Sequence, residues 1–441
     1  MAICRSVRNR FTFASKTRLM FEKILHTFTS RIGIAGLNFL IVILTAQSLG
    51  AAGRGEISLF VANLALVLLF TGIVGGTALA YLTPRTNVFQ LLLPAYVWSA
   101  VVSGLVTFVI FLLNQVPADY VWHLFGLALL QSFFTVNATV LLGKEKVKVY
   151  NNLTFLQTLL SALILASGFL LFSTKTIAFY FTALYGAYGI STLLSFIFLF
   201  RTGDKPDFSG FRENVAQLFR LGATAQFSNI ITFLNYRLGY YFLNTFADAR
   251  AVGIFSVGVA LSEALWMIGK SMATVQYSAL VNTENQQAGQ AMTIKLVKLS
   301  FVATLTAVLV LSVLPPPFLT FVFGKDFVGV KPVIWALAPG VVATGTGMIF
   351  SHYFAGRGNY KINNWAALVG LALTVPACLL LIPELGPVGA GLASTFSYMA
   401  AFVFLFLKFR RESGFNLWQL VPGKEDFGQV LQLLRKGKTQ M

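Results

Sequence analysis

Residues 218–276 form a largely apolar stretch that nevertheless carries Gln226, Asn229, Tyr236, Arg237, Tyr240, Asn244, Ser256, Glu263, Lys270 and Thr274. At about 100° per residue, the first six fall within roughly a 100° arc of one helix. The last four share one face of a second helix, because seven residues make nearly two turns. An arginine in such a place can donate two parallel hydrogen bonds from its planar fork, which suits a phosphate or diphosphate. Glu263 could hold that arginine or carry a proton, and pairing with Arg237 would make the proton role harder. The competing reading is a purely structural ion pair, in which each charge lowers the cost of burying the other. Lys270 lies near the end of its stretch and could equally snorkel to an interface. A milder polar set is Arg31, Asn38 and Thr45.

What surrounds these charges gives them weight. The chain has 441 residues, 56% hydrophobic and 11% charged, with a mean hydropathy of +0.75. A soluble domain carries about 25% charged residues. Since roughly 20 apolar residues of helix cross a bilayer, twelve spans are expected: 31–49, 57–82, 88–113, 120–142, 152–172, 177–200, 218–245, 252–276, 293–314, 328–355, 363–382 and 387–408. The fold class is an all-α polytopic membrane protein. Charges inside such spans mark a pathway or a paired site. The seventh and eighth spans are antiparallel neighbours across a short turn near Asp248. At 1.5 Å per residue, Arg237 and Glu263 then differ in depth by roughly 6 Å, which two long side chains bridge.

Lys+Arg is 33 against Asp+Glu 15, a net charge of +18. On a soluble chain that would point to nucleic acid. Here the charges sort by side of the membrane. One side holds 26: the basic arm 1–30 with Arg31, then Arg85, Lys144, Lys146, Lys148, Arg201, Lys205, Arg212, Arg220, Lys295, Lys298, Arg357, Lys361 and the tail from Lys408 onward. The other holds five, Arg54, Lys175, Arg250, Lys325 and Lys331. The positive-inside rule then places both termini in the cytoplasm, and no nucleic-acid partner is needed to account for the charge. The arm mixes Phe11, Phe13, Leu19, Phe21, Ile24 and Phe28 with Lys and Arg, as an interfacial helix would. The tail 409–441 repeats this with Phe427, Val430, Leu431 and Leu434 before Arg435 and Lys436. Both read as surface anchors without a substrate role, and no cleavable signal is evident.

Catalytic patterns are not found. His26, His123 and His352 lie far apart, and no metalloprotease motif or phosphate-cradling glycine loop occurs. Cys4 and Cys378 give no disulfide framework or metal site. Neither an enzyme nor a cofactor nor a metal is expected.

The chain reads as a duplication. Gly143–Asn151 after the fourth span aligns without a gap to Gly356–Asn364 after the tenth. Gly143/Gly356, Lys148/Lys361 and Asn151/Asn364 are identical, while Lys144/Arg357 and Val149/Ile362 are conservative. Two six-helix bundles, 31–200 and 218–408, are therefore expected around a central cleft, joined by the linker 201–217. Six spans per half make parallel repeats about an axis along the membrane normal, a frame suited to alternating access.

The stretch Gly356-Arg-Gly-Asn-Tyr-Lys, the apolar span ending Leu381-Ile382-Pro383, and Gly386-Pro-Val-Gly389-Ala-Gly391-Leu-Ala393-Ser-Thr carry a family resemblance. So do Phe323-Gly324-Lys325-Asp326-Phe327, and Ala251–Ser256 followed by Glu263 and Trp266. These resemble the polysaccharide biosynthesis branch of the multidrug/oligosaccharidyl-lipid/polysaccharide exporter superfamily, the Wzx-type flippases. The resemblance implies translocation of a polyprenyl-diphosphate-linked oligosaccharide across the cytoplasmic membrane. Membrane lipids would be further partners, with a polysaccharide polymerase or other assembly proteins as candidates. Arg237, Glu263, Lys270, Gln226, Asn229, Tyr236, Asn38 and Arg31 are the cleft candidates for binding this substrate. Multidrug relatives often couple ions through an acidic residue in the first span, and 31–49 contains no Asp or Glu. A cation or drug antiporter of the same superfamily is the alternative, followed by a membrane glycosyltransferase or polymerase.

Overall fold

A computed structural model describes residues 26–201, 207, 209–281 and 285–414, together with the helical backbone of residues 2–25. The proposed tail anchor, Cys4 and the arm's side chains before His26 lie outside the described residues. The helices are α1 (Ala2–Gly75), α2 (Thr77–Leu82), α3 (Val88–Leu112), α4 (Ala118–Gly143), α5 (Val147–Ala166) and α6 (Ile177–Phe200). Then follow α7 (Phe211–Phe246), α8 (Ala249–Val281), α9 (Gln286–Val313), α10 (Pro316–Phe323), α11 (Val330–Gly356) and α12 (Tyr360–Ser413).

Among the described residues, nine helical stretches are long and apolar enough to cross a membrane. Two of them, His26–Leu82 with 57 residues and Tyr360–Ser413 with 54, are long enough to cross twice. Each bends at a glycine in a left-handed conformation, Gly50 (φ 68°) in α1 and Gly386 (φ 53°) in α12. A side chain is disfavoured at such a φ, so glycine is what allows the chain to turn there. Helix α7, with 36 residues, is diluted by its own polar stripe and falls outside the nine. With the two doubled helices and α7, all twelve expected spans are helical. This is an all-α, multi-pass membrane protein.

Capping side chains fix where several helices begin. Asn87 accepts from Phe89 N at 3.0 Å, Thr176 from Phe179 N at 3.2 Å and Asn285 from Ala288 N at 3.1 Å. Each satisfies a backbone donor that the first turn leaves free. Asp248 does the same for α8, accepting from Ala251 N at 2.7 Å.

The two aligned loops have the same backbone. Lys144 N bonds to Val140 O, Glu145 N to Leu142 O and Lys146 N to Leu141 O. In the second loop Arg357 N bonds to Tyr353 O, Gly358 N to Ala355 O and Asn359 N to Phe354 O. Every partner is displaced by the same offset as the sequence repeat. Glu145 (φ 59°) and Gly358 (φ 76°), which align, both take the left-handed conformation that closes a helix C-terminus.

The chain divides into two compact units. The first comprises residues 1–49 and 60–229. Its core includes Val74, Leu79, Leu82, Leu91, Val140 and Leu218. Polar pairs link its helices: Asn137 donates to Ser195 at 2.9 Å, and Gln157 to Gln131 at 2.8 Å. The first part of α7 belongs here because Gly222 lets it lie against α1; a Cβ at that position would stand 1.6 Å from the Ile73 carbonyl oxygen. The end of the linker is fastened by Gln90, whose amide donates to the Asp207 and Ser209 carbonyls at 2.8 and 2.7 Å. The Ser209 backbone N–H and then its hydroxyl hold the Asp207 carboxyl below its usual range.

The second unit comprises residues 50–59 and 230–441. Residues 50–59 join it through small residues. A Cβ on Gly55 would stand 1.7 Å from the Ala249 oxygen, and one on Gly253 1.8 Å from the Ala51 oxygen. Membrane helices gain van der Waals contact by such close approach, since lipid offers no hydrophobic drive between them. Asp326 adds a polar tie by accepting from Ala51 N at 3.3 Å. One core cluster gathers Tyr240, Leu243, Val252, Phe255 and Trp266. Another gathers Val297, Ile349, Phe350, Tyr353 and Phe409.

Candidate functional site

Because Asp248 fixes the start of α8, the hairpin of α7 and α8 has a defined depth, and it brings Arg237 to Glu263. The guanidinium Nη2 lies 2.9 Å from Glu263 Oε1. Its Nη1 donates to the Tyr240 hydroxyl at 3.1 Å, with the guanidinium carbon 5.3 Å from the centre of that ring. The side chains of Arg237 and Glu263 are 29% and 37% exposed. The pair is therefore neither sealed in the core nor free in solvent. Arginine has five N–H donors, and two nitrogens are engaged in these contacts, so an approaching anion could use the rest or displace Glu263.

Tyr236 and Tyr398 lie near enough to the pair to interact with it electrostatically. Tyr236, Trp266 and Tyr398 form a triangle with ring centres 5.2, 5.6 and 5.5 Å apart. Beside it lies a cavity of about 220 Å³, lined by Thr232, Asn235, Tyr236, Ser351, Asn363, Ser397 and Tyr398 among others. Asn235 ties its walls together. Its amide donates to the Ala367 oxygen at 2.8 Å, and its own oxygen accepts from Thr374 and Ser397, each at 3.3 Å.

The other sequence candidates are distributed more widely. Gln226 and Asn229 fall in the first unit, whereas Tyr236 and Arg237 fall in the second. Gln226 donates to the Leu69 carbonyl at 3.1 Å and accepts from Asn229, so their role there is to bind helices together. Lys270 is exposed and close enough to His352 to act on it electrostatically. Arg31 and Asn38 are exposed on α1 in the first unit. Thr45 and Ser256 are buried and bond back to Ile41 O and Gly253 O, at 2.7 and 2.8 Å. Two residues of the site escaped the sequence reading. Arg54, assigned to a loop, is helical and close enough to Tyr240 to influence it electrostatically. Asn235 points away from the polar arc, on the side facing α12; an amide in an apolar run was its only signal. Among the described residues no cluster of three His, Cys, Asp or Glu could hold a metal, and Cys378 is buried with a free thiol.

The whole described architecture can be set beside solved structures. The lipid II flippase MurJ in an inward closed conformation superposes with a TM-score of 0.72, at 13% identity, over 96% of this chain and 93% of that one. The fold is that of MurJ and the MATE transporters. An inward-facing multidrug MATE transporter of the MOP superfamily gives a TM-score of 0.67 at 14% identity, over 86% of this chain and 94% of its own. A MOP superfamily transporter from Pyrococcus furiosus, described as having a binding pocket of reversed polarity, gives 0.58 at 16% identity, over 89% and 95%. Residues 164–332 match the model of a family described as polysaccharide biosynthesis protein. No curated protein matches the chain. On this MurJ/MATE fold the matched segment includes α7 and α8, and hence Arg237 and Glu263.

Proposed function

We propose that the protein is a flippase that moves a polyprenyl-diphosphate-linked oligosaccharide across the cytoplasmic membrane by alternating access, with both termini in the cytoplasm. The observation that carries this reading is the partly exposed Arg237–Glu263 pair, which lies within electrostatic reach of Tyr236 and Tyr398, two residues that line the hydroxyl-bearing pocket. A diphosphate would take over the arginine fork in place of Glu263. Tyr236 and Tyr398, which line the pocket, offer ring edges and hydroxyls of the kind that suit sugars. Arg54 adds a second positive charge near Tyr240. The flippase and polysaccharide similarities support the substrate class over a drug cation. Lys270 sits toward the cytoplasmic end of α8, where it would meet the headgroup during entry.

Deletion of the gene combined with glycan labelling tests this. Loss of surface polysaccharide, with complete lipid-linked units retained in the inner leaflet, is the expected result. Truncated units would instead identify an enzyme, and drug sensitivity alone an antiporter.

A further inference from the structure

Helix α12 turns at Gly386, so its two halves run side by side as a hairpin, and a furrow of about 700 Å³ lies between them. One wall is built from the stretch that includes Leu373 and Leu380, the other from the stretch with Ala400, Val403, Phe404 and Leu407. All the lining side chains are apolar. From Phe396 to Leu407 the second wall is roughly 17 Å long at 1.5 Å per residue. That is about half of the ~30 Å hydrocarbon core, one leaflet.

The furrow ends in positive charge. Lys408 Nζ lies 5.7 Å from the centre of the Phe404 ring, itself part of the wall. Arg411 follows Leu407 by four residues and Phe404 by seven, so it continues the same helix face. Arg410 stands likewise to Val403. An apolar channel one leaflet long, closed by cations at headgroup level, is complementary to a lipid with an anionic head. It is a single furrow between two helices, which takes one chain, whereas a phospholipid has two.

We propose that this furrow holds the polyprenyl chain of a phosphate-headed carrier lipid, with Lys408 and Arg411 meeting its phosphate. The assignment rests on the flippase reading for the identity of the lipid. The same two α12 segments reach the polar pocket through Ala367, Ser397 and Ala401. A lipid seated in the furrow is thus docked beside the pocket that would receive its head.

Lipid retention by the purified full-length protein, read by native mass spectrometry, tests this. The probes are a long-chain polyprenyl phosphate, the matching polyprenol and phosphatidylglycerol. Wild type should retain the polyprenyl phosphate roughly tenfold better than the polyprenol, the effect of about one charge-assisted contact. Ala400→Trp, which fills the furrow, should reduce retention of both. Lys408→Ala combined with Arg411→Ala should abolish the preference for phosphate while polyprenol binding persists. Should Ala400→Trp fail to fold, Leu407→Gln at the exposed end of the furrow is the second variant, and it should weaken both lipids. Displacement by an equal mole fraction of phosphatidylglycerol would overturn the assignment in favour of an annular lipid. So would unchanged retention by a folded furrow variant. Retention is read on the purified protein without transport, so loss of lipid docking is separable from loss of transport. Normal surface glycan in the deletion strain would sink the flippase reading without touching this result.

Discussion

Arg237 and Glu263 can be taken apart by a double-mutant cycle, and their geometry sets the size of the effect. Removing one partner of a sealed ion pair costs about 3–5 kcal/mol, while an exposed pair contributes about 0.2–1 kcal/mol. With side chains 29% and 37% exposed, this pair falls between. Polar couplings within membrane bundles average about 0.6 kcal/mol and reach about 1.7. A coupling of about 1 kcal/mol is therefore expected, roughly fivefold in an equilibrium constant. Arg237→Ala strands a carboxylate and should destabilise most, by about 2 kcal/mol, within the usual cost of leaving a buried polar group unsatisfied. Glu263→Gln keeps an acceptor for the guanidinium and should cost less. The double variant should recover abundance and thermal stability relative to Arg237→Ala. Transport per molecule, normalised to membrane abundance, then separates structure from binding. If Arg237 takes the diphosphate, the double variant is abundant but defective, and Arg237→Lys restores activity only in part, since lysine lacks the fork. Full transport by an abundant double variant would remove Arg237 from the substrate site.

Three further outcomes follow from the packing and the charge pattern. Gly55→Ala or Gly253→Ala places a methyl within 2 Å of a carbonyl oxygen on the facing helix and should cost about 1–3 kcal/mol; Gly36→Ala and Gly189→Ala, with nothing within 4 Å, should leave thermal unfolding unchanged. Asn235→Ala should lower stability by about 1–3 kcal/mol, because the Ala367 oxygen loses its donor; an unaltered melting temperature would show that water replaces the amide. A cysteine at position 144 or 357 in an otherwise cysteine-free chain should react with an impermeant thiol reagent only after the cells are opened; labelling of intact cells would invert the orientation.

The sequence was most legible where one physical rule acts on a long stretch. Twelve apolar segments had no other way to satisfy their backbone in lipid than as helices, and the capping aspartate at 248 set the hairpin depth that brings Arg237 to Glu263. The loop repeat was legible for the same reason. A left-handed residue two places after Gly143 and Gly356 closes each helix through an identical hydrogen-bond set. Helical periodicity failed where it says which face is polar but not what that face meets. It joined Gln226 and Asn229 to Arg237 on one stripe, yet Gly222 packs that end of α7 against Ile73, and Gln226 is consumed by the Leu69 carbonyl. It left out Asn235, whose partners Ala367, Thr374 and Ser397 are remote in sequence. The expected spans 31–49 and 57–82 leave Arg54 between them; the chain bends at Gly50 and continues as helix, which carries the arginine to the neighbourhood of Tyr240. The pattern in these misses is consistent. A polar residue in a membrane helix takes its meaning from the backbone that small residues allow to come near it. The glycines at 55, 222 and 253 thus set which helix backbones come close enough to meet this chain's polar groups.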